Sequence, residues 1–358
     1  MKRMVIAAIV ICLILPKTVY ALPEDLVESM PQDVQVIWET VEQEDLQETW
    51  RGGLRQLWTR VTEFFTVEAK ESLRGAVLVL LTAILAGIAE SCYQTAENER
   101  VPNYVPLIGT IVITTVVVGN VQTMIGLGEE TIDQLHVLSE ALLPTLSAAV
   151  SASGGMVSAS VRQVATVFFC NILISAIKNV FLPLLSIVIV LSAADSSLPG
   201  HSLGKIVELI RKGITWALTA SLFLFTGYLT ISGAAAGAAD NLTAQLTRSA
   251  ISTAVPVVGG IISEAAGSVL AGAAVLKNSI GILGMLGVLT VCLSPFLTLA
   301  VQYLLYKISA FLAGIFSDTL TGYIHALSSA FGLLLGMTGT CALLLLISIS
   351  SSVSVVIR

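Results

Sequence analysis

Six apolar stretches without a single Asp, Glu, Lys or Arg divide this chain. They lie between Arg74 and Glu90, Arg100 and Glu129, Lys178 and Asp195, Lys212 and Asp240, Lys277 and Lys307, and Asp318 and Arg358. A transmembrane helix needs about 20 mostly apolar residues, because the hydrocarbon core of a bilayer is about 30 Å thick. Only 12% of the residues are charged, whereas an ordinary soluble domain has about a quarter. The sequence therefore predicts an all-α, polytopic helical membrane protein.

Six spans are predicted from these stretches, over residues 75–92, 104–126, 171–194, 214–236, 280–306 and 328–357. Two further apolar stretches, 141–160 and 254–276, are rich in Gly, Ala and Ser. They cross the bilayer, re-enter it, or pack as helices inside a bundle, where small residues allow helix backbones to approach closely. The expectation for residues 75–358 is therefore a transmembrane domain of about six to eight spans.

Residues 1–21 have the pattern of an export signal. Lys2 and Arg3 precede an apolar run that ends near Pro16, and a small residue, Ala21, occupies the position before the expected cleavage site. The apolar run is short for a membrane span, which favours cleavage after Ala21 over retention as an anchor. In either case the chain from Leu22 onward is expected to begin outside the cytoplasm.

Residues 22–74 form an acidic head with twelve acidic and five basic residues. Toward its end apolar residues recur with helical spacing and place Trp50, Trp58 and Phe64 on one face. Such an amphipathic helix either lies on the bilayer surface or inserts its aromatic side chains into a groove on a partner protein. These three residues are therefore candidates for docking to the membrane surface or to a partner.

A weak internal repeat relates residues 142–194 to residues 254–306. One constant shift along the chain superposes Pro144 on Pro256 and Pro183 on Pro295. Discontinuous helices with this pattern line polar cavities at mid-membrane, and unrelated small-residue helices in a bundle give a similar composition. The four prolines are candidate helix breaks on the first interpretation.

The distribution of charge predicts an orientation. Lys205, Arg211 and Lys212 make the segment richest in basic residues, which the positive-inside rule places in the cytoplasm. Residues 129–140 contain four acidic and no basic residues and are expected to form an external loop. An exported head followed by one span then places Arg100 inside, which is consistent with this scheme.

No common catalytic or metal-binding signature is present in the sequence. The histidines, His136, His201 and His325, are far apart and have no ligand spacing. The segment from Gly200 to Lys205 departs from a phosphate-binding loop, because it has one residue too few between its glycines and an Ile after the Lys. The sequence thus predicts no enzyme activity, no cofactor and no metal, and the absence of a basic stripe predicts no nucleic-acid partner.

Ionisable residues in apolar surroundings are the remaining candidates for a functional site. Glu90, Lys178 and Glu264 are of this kind, as is Lys277. Charges at this depth tend to face protein or water, so they are candidate intramembrane polar residues. One hypothesis is a contact between Glu264 and Lys178 across a pseudo-symmetric core. The alternative for residues close to span ends is that their side chains extend to the interface.

The whole layout resembles a known family. An export signal and an acidic head ending in LQETWRGGLRQLWTRVTEFF are followed by the span AVLVLLTAILAGIAESC and the segments SAAVSASGG and PVVGGIISEAAGSVLAGA. In these features the chain resembles the stage III sporulation protein AE family. The resemblance extends over essentially the whole chain, without a short diagnostic motif or a catalytic residue to carry over.

This resemblance implies a non-enzymatic subunit of a channel or secretion-like complex in the mother-cell membrane around the forespore. Its partners would be the lipid bilayer and other subunits of the stage III complex, including ring-forming and ATPase subunits. The chain would serve as a membrane platform or conduit, with energy supplied by another subunit. The alternative from the residues alone is a stand-alone secondary transporter with Glu264 in a mid-membrane site.

Overall fold

The structure is a computed structural model that describes residues 55, 59, 61, 62, 75–89, 105–197, 203–254, 259–315 and 317–353. Within these ranges the backbone is almost entirely helical and contains no strand, which confirms the all-α class. The helices are α1 (Gly75–Ala89), α2 (Val105–Ala152), α3 (Met156–Ala176), α4 (Leu182–Ser197), α5 (Gly204–Ala254), α6 (Gly259–Ala313) and α7 (Asp318–Val353). A single π-helical segment, Ile177–Phe181, joins α3 to α4.

In the part of the chain that the structure describes, five helical units are long and apolar enough to cross a membrane: α2, α3 with α4, α5, α6 and α7. At a rise of 1.5 Å per residue each has a length of roughly 50 to 80 Å, about two to three times the thickness of the hydrocarbon core. Helix α1 is a shorter apolar helix. The predicted membrane character is thereby supported, whereas the count of six to eight spans and the re-entrant segments stay predictions.

The long helices run alternately between two ends of one bundle. At the basic end, α2 and α5 begin next to the end of α4, and the Thr110 hydroxyl lies 3.3 Å from the Ser196 hydroxyl. Helix α7 also begins there, because the Thr114 hydroxyl lies 2.7 Å from the Tyr323 hydroxyl. The opposite end, where α2 turns into α3 and α7 ends, is called the hairpin end.

Helix α7 lies at the centre of the bundle and packs against α2, α3, α4, α5 and α6. Of its most apolar stretch 61% is buried, compared with 22% for α5. Aromatic side chains fill the space around it, and the rings of Tyr306 and Phe331 lie 5.0 Å apart. The buried Tyr306 hydroxyl accepts a hydrogen bond of 3.3 Å from Asn120, as a buried phenol requires.

Glycines allow α6 and α7 to approach each other closely. A Cβ atom at Gly332 would lie 3.1 Å from the Tyr303 ring, and one at Gly339 would lie 3.1 Å from the Phe296 ring. At Gly281 an added Cβ would overlap the side chain of Val353. Because glycine has no side chain, the neighbouring helix packs directly against the backbone at these contacts, as is common between membrane helices.

The acidic segment 129–140 is not the loop that the charge pattern predicted. It is an internal part of α2, where Ile132, Leu135 and Leu138 are buried and the acidic side chains lie on the outer face. The helix continues because these apolar residues follow helical spacing, so the charges mark an exposed face and not a break in the chain.

The predicted helix breaks have different surroundings. Helix α2 continues through Pro144 and α6 continues through Pro295. Packed neighbouring helices stabilise such an interior proline, although it removes one backbone hydrogen bond. Pro183 is the second residue of α4, just after the π-helical segment, and Pro256 lies outside the described residues.

The small-residue segment 141–160 folds into the turn between α2 and α3. Gly154 has a φ of 96°, a conformation that favours glycine, and its backbone N–H donates to the Ser151 carbonyl oxygen at 3.0 Å. In the segment 254–276, α5 ends at Ala254 and α6 begins at Gly259. The repeat and the domain division stay predictions, and the signal and most of the head lie outside the described residues.

Candidate functional site

Among the side chains that the structure describes, three charged ones are buried near the hairpin end of the bundle. Arg162 on α3 is 8% exposed, Asp240 on α5 is 2% exposed, and Lys277 on α6 is 5% exposed. A charge removed from water is strongly unfavourable unless it is paired and hydrogen-bonded. These residues, called the buried charge cluster below, therefore depend on specific partners.

Asp240 caps the first turn of α3 from a different helix. Its two carboxylate oxygens accept hydrogen bonds of 2.9 Å from the backbone N–H groups of Val157 and Ser158. Gly155 at the N-cap of α3 has no side chain to bind these groups. The carboxylate also faces the positive end of the helix dipole, so the contact joins α5 to α3.

Arg162 makes the corresponding contact at the end of α7. Its Nη1 donates to the carbonyl oxygen of Ser351 in the last turn of that helix, where a cation interacts favourably with the dipole. One turn further along α3, the Thr166 hydroxyl shares a hydrogen bond with the Ser348 hydroxyl. A Cβ atom at Gly233 of α5 would lie only 2.8 Å from Nη2, so this glycine provides the space for the guanidinium group.

Arg162 also links the cluster electrostatically. It is attracted by Asp240 and repelled by Lys277, which lies on the adjacent helix. The hydrogen bonds of Asp240 and Arg162 therefore join α3 to α5 and to the end of α7, and Lys277 of α6 adds a further positive charge near them.

A cavity of about 640 Å³ lies beside the cluster. Its lining includes Arg162, Thr226, Thr230, Gly233, Ser350 and Ser351. Arg162 Nε is one of five buried side-chain polar atoms without a hydrogen-bond partner among the described residues. This set of cationic and hydroxyl groups can donate hydrogen bonds to a carbonyl or an anion. Within the described ranges there is no group of His, Cys, Asp or Glu that could hold a metal ion.

Lys178, a predicted site residue, lies in the π-helical segment at mid-length of the bundle. Its ammonium group is 2.5 Å from Asp133 and 3.8 Å from Glu129, both on the acidic face of α2. The side chains of these three residues are 29%, 50% and 49% exposed, respectively. Lys178 thus has partners that the sequence reasoning did not consider. The side chain of Glu264 lies outside the described residues, so a contact between it and Lys178 stays a hypothesis.

Several predicted residues, Glu90, Trp50, Trp58, Phe64 and Pro256, lie outside the described residues. Conversely, Arg162 and Asp240 were not predicted as site residues. Each is an isolated ionisable residue in a small-residue stretch, SASVRQVA or GAAAGAADNL. The criterion that selected Glu264 would therefore have selected both.

Comparison with known proteins identifies the family. The family model described as stage III sporulation protein AE matches residues 37–355, which include all of the long helices and the buried charge cluster. The chain belongs to this family. The resemblance predicted from the sequence is thereby confirmed.

A relative in Bacillus subtilis (strain 168), named stage III sporulation protein AE, is 25% identical over 250 residues. The match covers 69% of this chain and 61% of the relative, so the chain spans about three fifths of that protein's length. No solved structure matches the chain significantly. The family and this relative give no support to the alternative of a stand-alone secondary transporter.

Proposed function

We propose that this chain is a non-enzymatic, multi-pass membrane subunit of the sporulation complex that links the mother cell and the forespore. Its partners are the other stage III subunits, including ring-forming and ATPase subunits, and it resides in the mother-cell membrane around the forespore. Membership of the stage III sporulation protein AE family supports this assignment. Energy comes from another subunit, and the acidic head lies outside the cytoplasm.

The packing around α7 favours a platform over a conduit through one bundle. Large side chains that are almost completely buried, including Tyr306, Tyr323 and Phe331, occupy the space around this central helix. Hydrogen-bonded charges also fix the start of α3 and the end of α7. Both features support a rigid scaffold that holds partner subunits at the membrane. The buried centre is the observation that carries the choice of a platform.

The ion pair between Lys178 and Asp133 supports placing the outer edge of the hydrocarbon core at the level of these two residues. The helix from Leu107 to Glu129 is about 33 Å long, and that from Lys178 to Asp195 is about 26 Å long, at 1.5 Å per residue. Both lengths agree with a core of about 30 Å. We place the basic end in the cytoplasm, following the positive-inside rule, and the ion pair at the opposite interface.

This placement explains why the helices are longer than a bilayer requires. The hairpin end projects from the membrane into the space that also contains the head. It leaves Met156, Val164 and Phe168 of α3 exposed beyond the hydrocarbon, at 68%, 68% and 58%. Large apolar patches of this kind mark contacts with other proteins, and we assign this face to the partner subunits of the complex.

Two experiments test the proposal. One deletes the gene in the endospore-forming host, and the other purifies the tagged chain from sporulating cells by affinity. We expect the deletion to reduce heat-resistant spores by orders of magnitude after normal engulfment, and we expect other stage III subunits to co-purify. A plasmid copy of the intact gene is the control for the deletion. Normal spore counts without the gene, or recovery of the chain without any such subunit, would contradict the proposal.

A further inference from the structure

A second and larger cavity, of about 1,200 Å³, lies at the basic end of the bundle. It is bounded by α4, α5, α6 and α7 and is called the basic cavity. Four basic or titratable nitrogen groups from three helices line it: Arg211, Lys212, Lys307 and His325. Lys205, on the same end of α5, is exposed but does not line it.

The acidic side chains of the lining are already engaged. Glu208 forms an ion pair of 2.7 Å with Lys212. Asp195 accepts hydrogen bonds of 2.8 Å and 3.0 Å from the backbone N–H groups of Leu203 and Gly204, so it caps the start of α5. Three cations and two carboxylates line the cavity, so its net charge is +1 with His325 neutral, and Arg211 and Lys307 are the cations outside the Glu208–Lys212 ion pair.

Those two cations, Arg211 and Lys307, lie on α5 and α6, and neither forms a salt bridge with a carboxylate among the described residues. The Lys307 ammonium donates a hydrogen bond of 2.8 Å to the Tyr303 hydroxyl and lies 5.1 Å from the centre of the same ring. This contact fixes the side chain without neutralising it. Electrostatic attraction from Glu208 also reaches Arg211.

The rest of the lining combines serine, threonine and tyrosine hydroxyl groups with an apolar wall. Val207, Ala326 and Leu333 contribute to it, and Trp216 lies at its rim with 74% of its surface exposed. Tryptophan is enriched at the interface between membrane and water, where this end of the bundle is placed. The cavity thus combines two cations with apolar surface next to the bilayer.

We propose that the basic cavity binds a phosphate group, held between Arg211 and Lys307. A guanidinium group offers paired donors that match phosphate oxygens, and an ammonium group adds a second positive charge. Basic cavities between membrane helices on the cytoplasmic side have this chemistry for anionic lipid headgroups. The phosphate belongs either to an anionic phospholipid, whose acyl chains contact the apolar wall, or to a soluble phosphate compound.

Native mass spectrometry of the purified full chain in detergent tests this site with added phosphatidylglycerol, and with phosphatidylcholine as the neutral comparison. We expect Arg211→Gln and Lys307→Gln each to weaken retention of phosphatidylglycerol about fivefold, the effect of one cation near an anionic membrane surface. Lys205→Gln is the matched control, because it removes the same charge from the same end of the bundle. It is expected to change retention less than twofold.

Two outcomes would overturn the proposal. In the first, all three variants lose the same amount of lipid retention. In the second, the unchanged protein retains the two lipids equally and also shows no saturable binding of inorganic phosphate. Arg211→Lys keeps the charge and is expected to recover most of the retention, which separates loss of binding from loss of folding.

Competition with inorganic phosphate distinguishes the two sources of the phosphate group. If millimolar phosphate does not displace phosphatidylglycerol, the result supports the lipid as the ligand. If phosphate displaces phosphatidylglycerol from the unchanged protein, and this displacement is abolished in Arg211→Gln, the result supports a soluble phosphate compound.

Discussion

The carboxylate of Asp240 and the backbone N–H of Ser158 form a hydrogen bond of 2.9 Å between residues 82 positions apart in the chain. Together with the bond to Val157, it satisfies backbone donors in the first turn of α3 that α3 itself cannot satisfy. The two ends of this contact belong to different helices. The stability of the hairpin end should therefore depend on one side chain of α5.

We expect Asp240→Ala to destabilise the protein by about 2 to 4 kcal/mol, because it leaves buried donors unpaired and removes the negative charge near Arg162. Asp240→Asn keeps an acceptor and should have a smaller effect. Thermal unfolding of the purified full chain in detergent measures both. Glu140→Ala, an exposed acidic residue on α2, is the control and should change stability little. Similar unfolding temperatures for Asp240→Ala and Glu140→Ala would contradict the capping role.

Two glycines on α5 provide a matched test of the space around Arg162. A methyl group at Gly233 would contact the guanidinium group, whereas nothing lies within 4 Å of one added at Gly237. We expect Gly233→Ala to destabilise the protein by about 1 to 3 kcal/mol through overpacking. Gly237→Ala should be neutral or stabilising by up to about 1 kcal/mol, the usual gain in helix propensity. Thermal unfolding distinguishes them, and the reverse order would refute this position for Arg162.

A disulfide should form between α6 and α7 in the double variant Gly281→Cys with Val353→Cys. An added Cβ at residue 281 would lie 3.5 Å from the Cβ of Val353, within the range of disulfide geometry. The control pair is Gly272→Cys with Val353→Cys, since residue 272 has no neighbour within 4 Å. Loss of maleimide labelling after oxidation, in a background without the native cysteines, measures the bond. A rigid platform should still support sporulation with this bond, whereas arrested sporulation in assembled complexes would favour a moving conduit.

The proposed orientation predicts opposite accessibility at the two ends of the bundle. Ala152→Cys lies at the turn of the hairpin end, and Lys205→Cys lies at the basic end. In intact protoplasts of vegetative cells that express the chain in the plasma membrane, we expect a membrane-impermeant maleimide to label residue 152 and to reach residue 205 only after lysis. The cysteine-free chain is the control. Labelling of residue 205 but not 152 before lysis would require the inverted topology.

A platform does not need an ionisable group at position 264. Glu264→Gln should therefore leave complex assembly and heat-resistant spore counts unchanged, because the change removes only the ability to carry a charge or a proton. Immunoblotting of membranes confirms equal amounts of protein, and a silent substitution is the control. Lost sporulation with normal amounts of assembled protein would mean that this glutamate takes part in transport.

The helical class and the apolar core of each long helix could be predicted from the sequence, because both follow from runs without charge. The course of α2 through Glu129 and Glu140 could not be obtained from charge alone. Its evidence is the helical spacing of Ile132, Leu135 and Leu138, which identifies the acidic residues as one face. Charge-free runs identify the segments that avoid water, but they do not indicate where a helix ends.

The partners of the buried charges were harder to predict. Arg162 binds a carbonyl group near the end of α7, and Asp240 binds amide groups at the start of α3. Backbone groups at helix ends are potential partners in every helix, so the sequence does not identify which end lies beside which charge. Only the arrangement of the bundle brings these groups together.

Helix α7 follows, in chain order, every long helix that it contacts at the centre of the bundle. During synthesis the earlier helices must therefore enter the bilayer as a shell that is still open along its axis. Arg162 in particular has no access to Ser351 until α7 leaves the ribosome. Closure of the bundle thus waits for the synthesis of α7, and a product terminated before this helix would remain an open shell, exposed to membrane proteases.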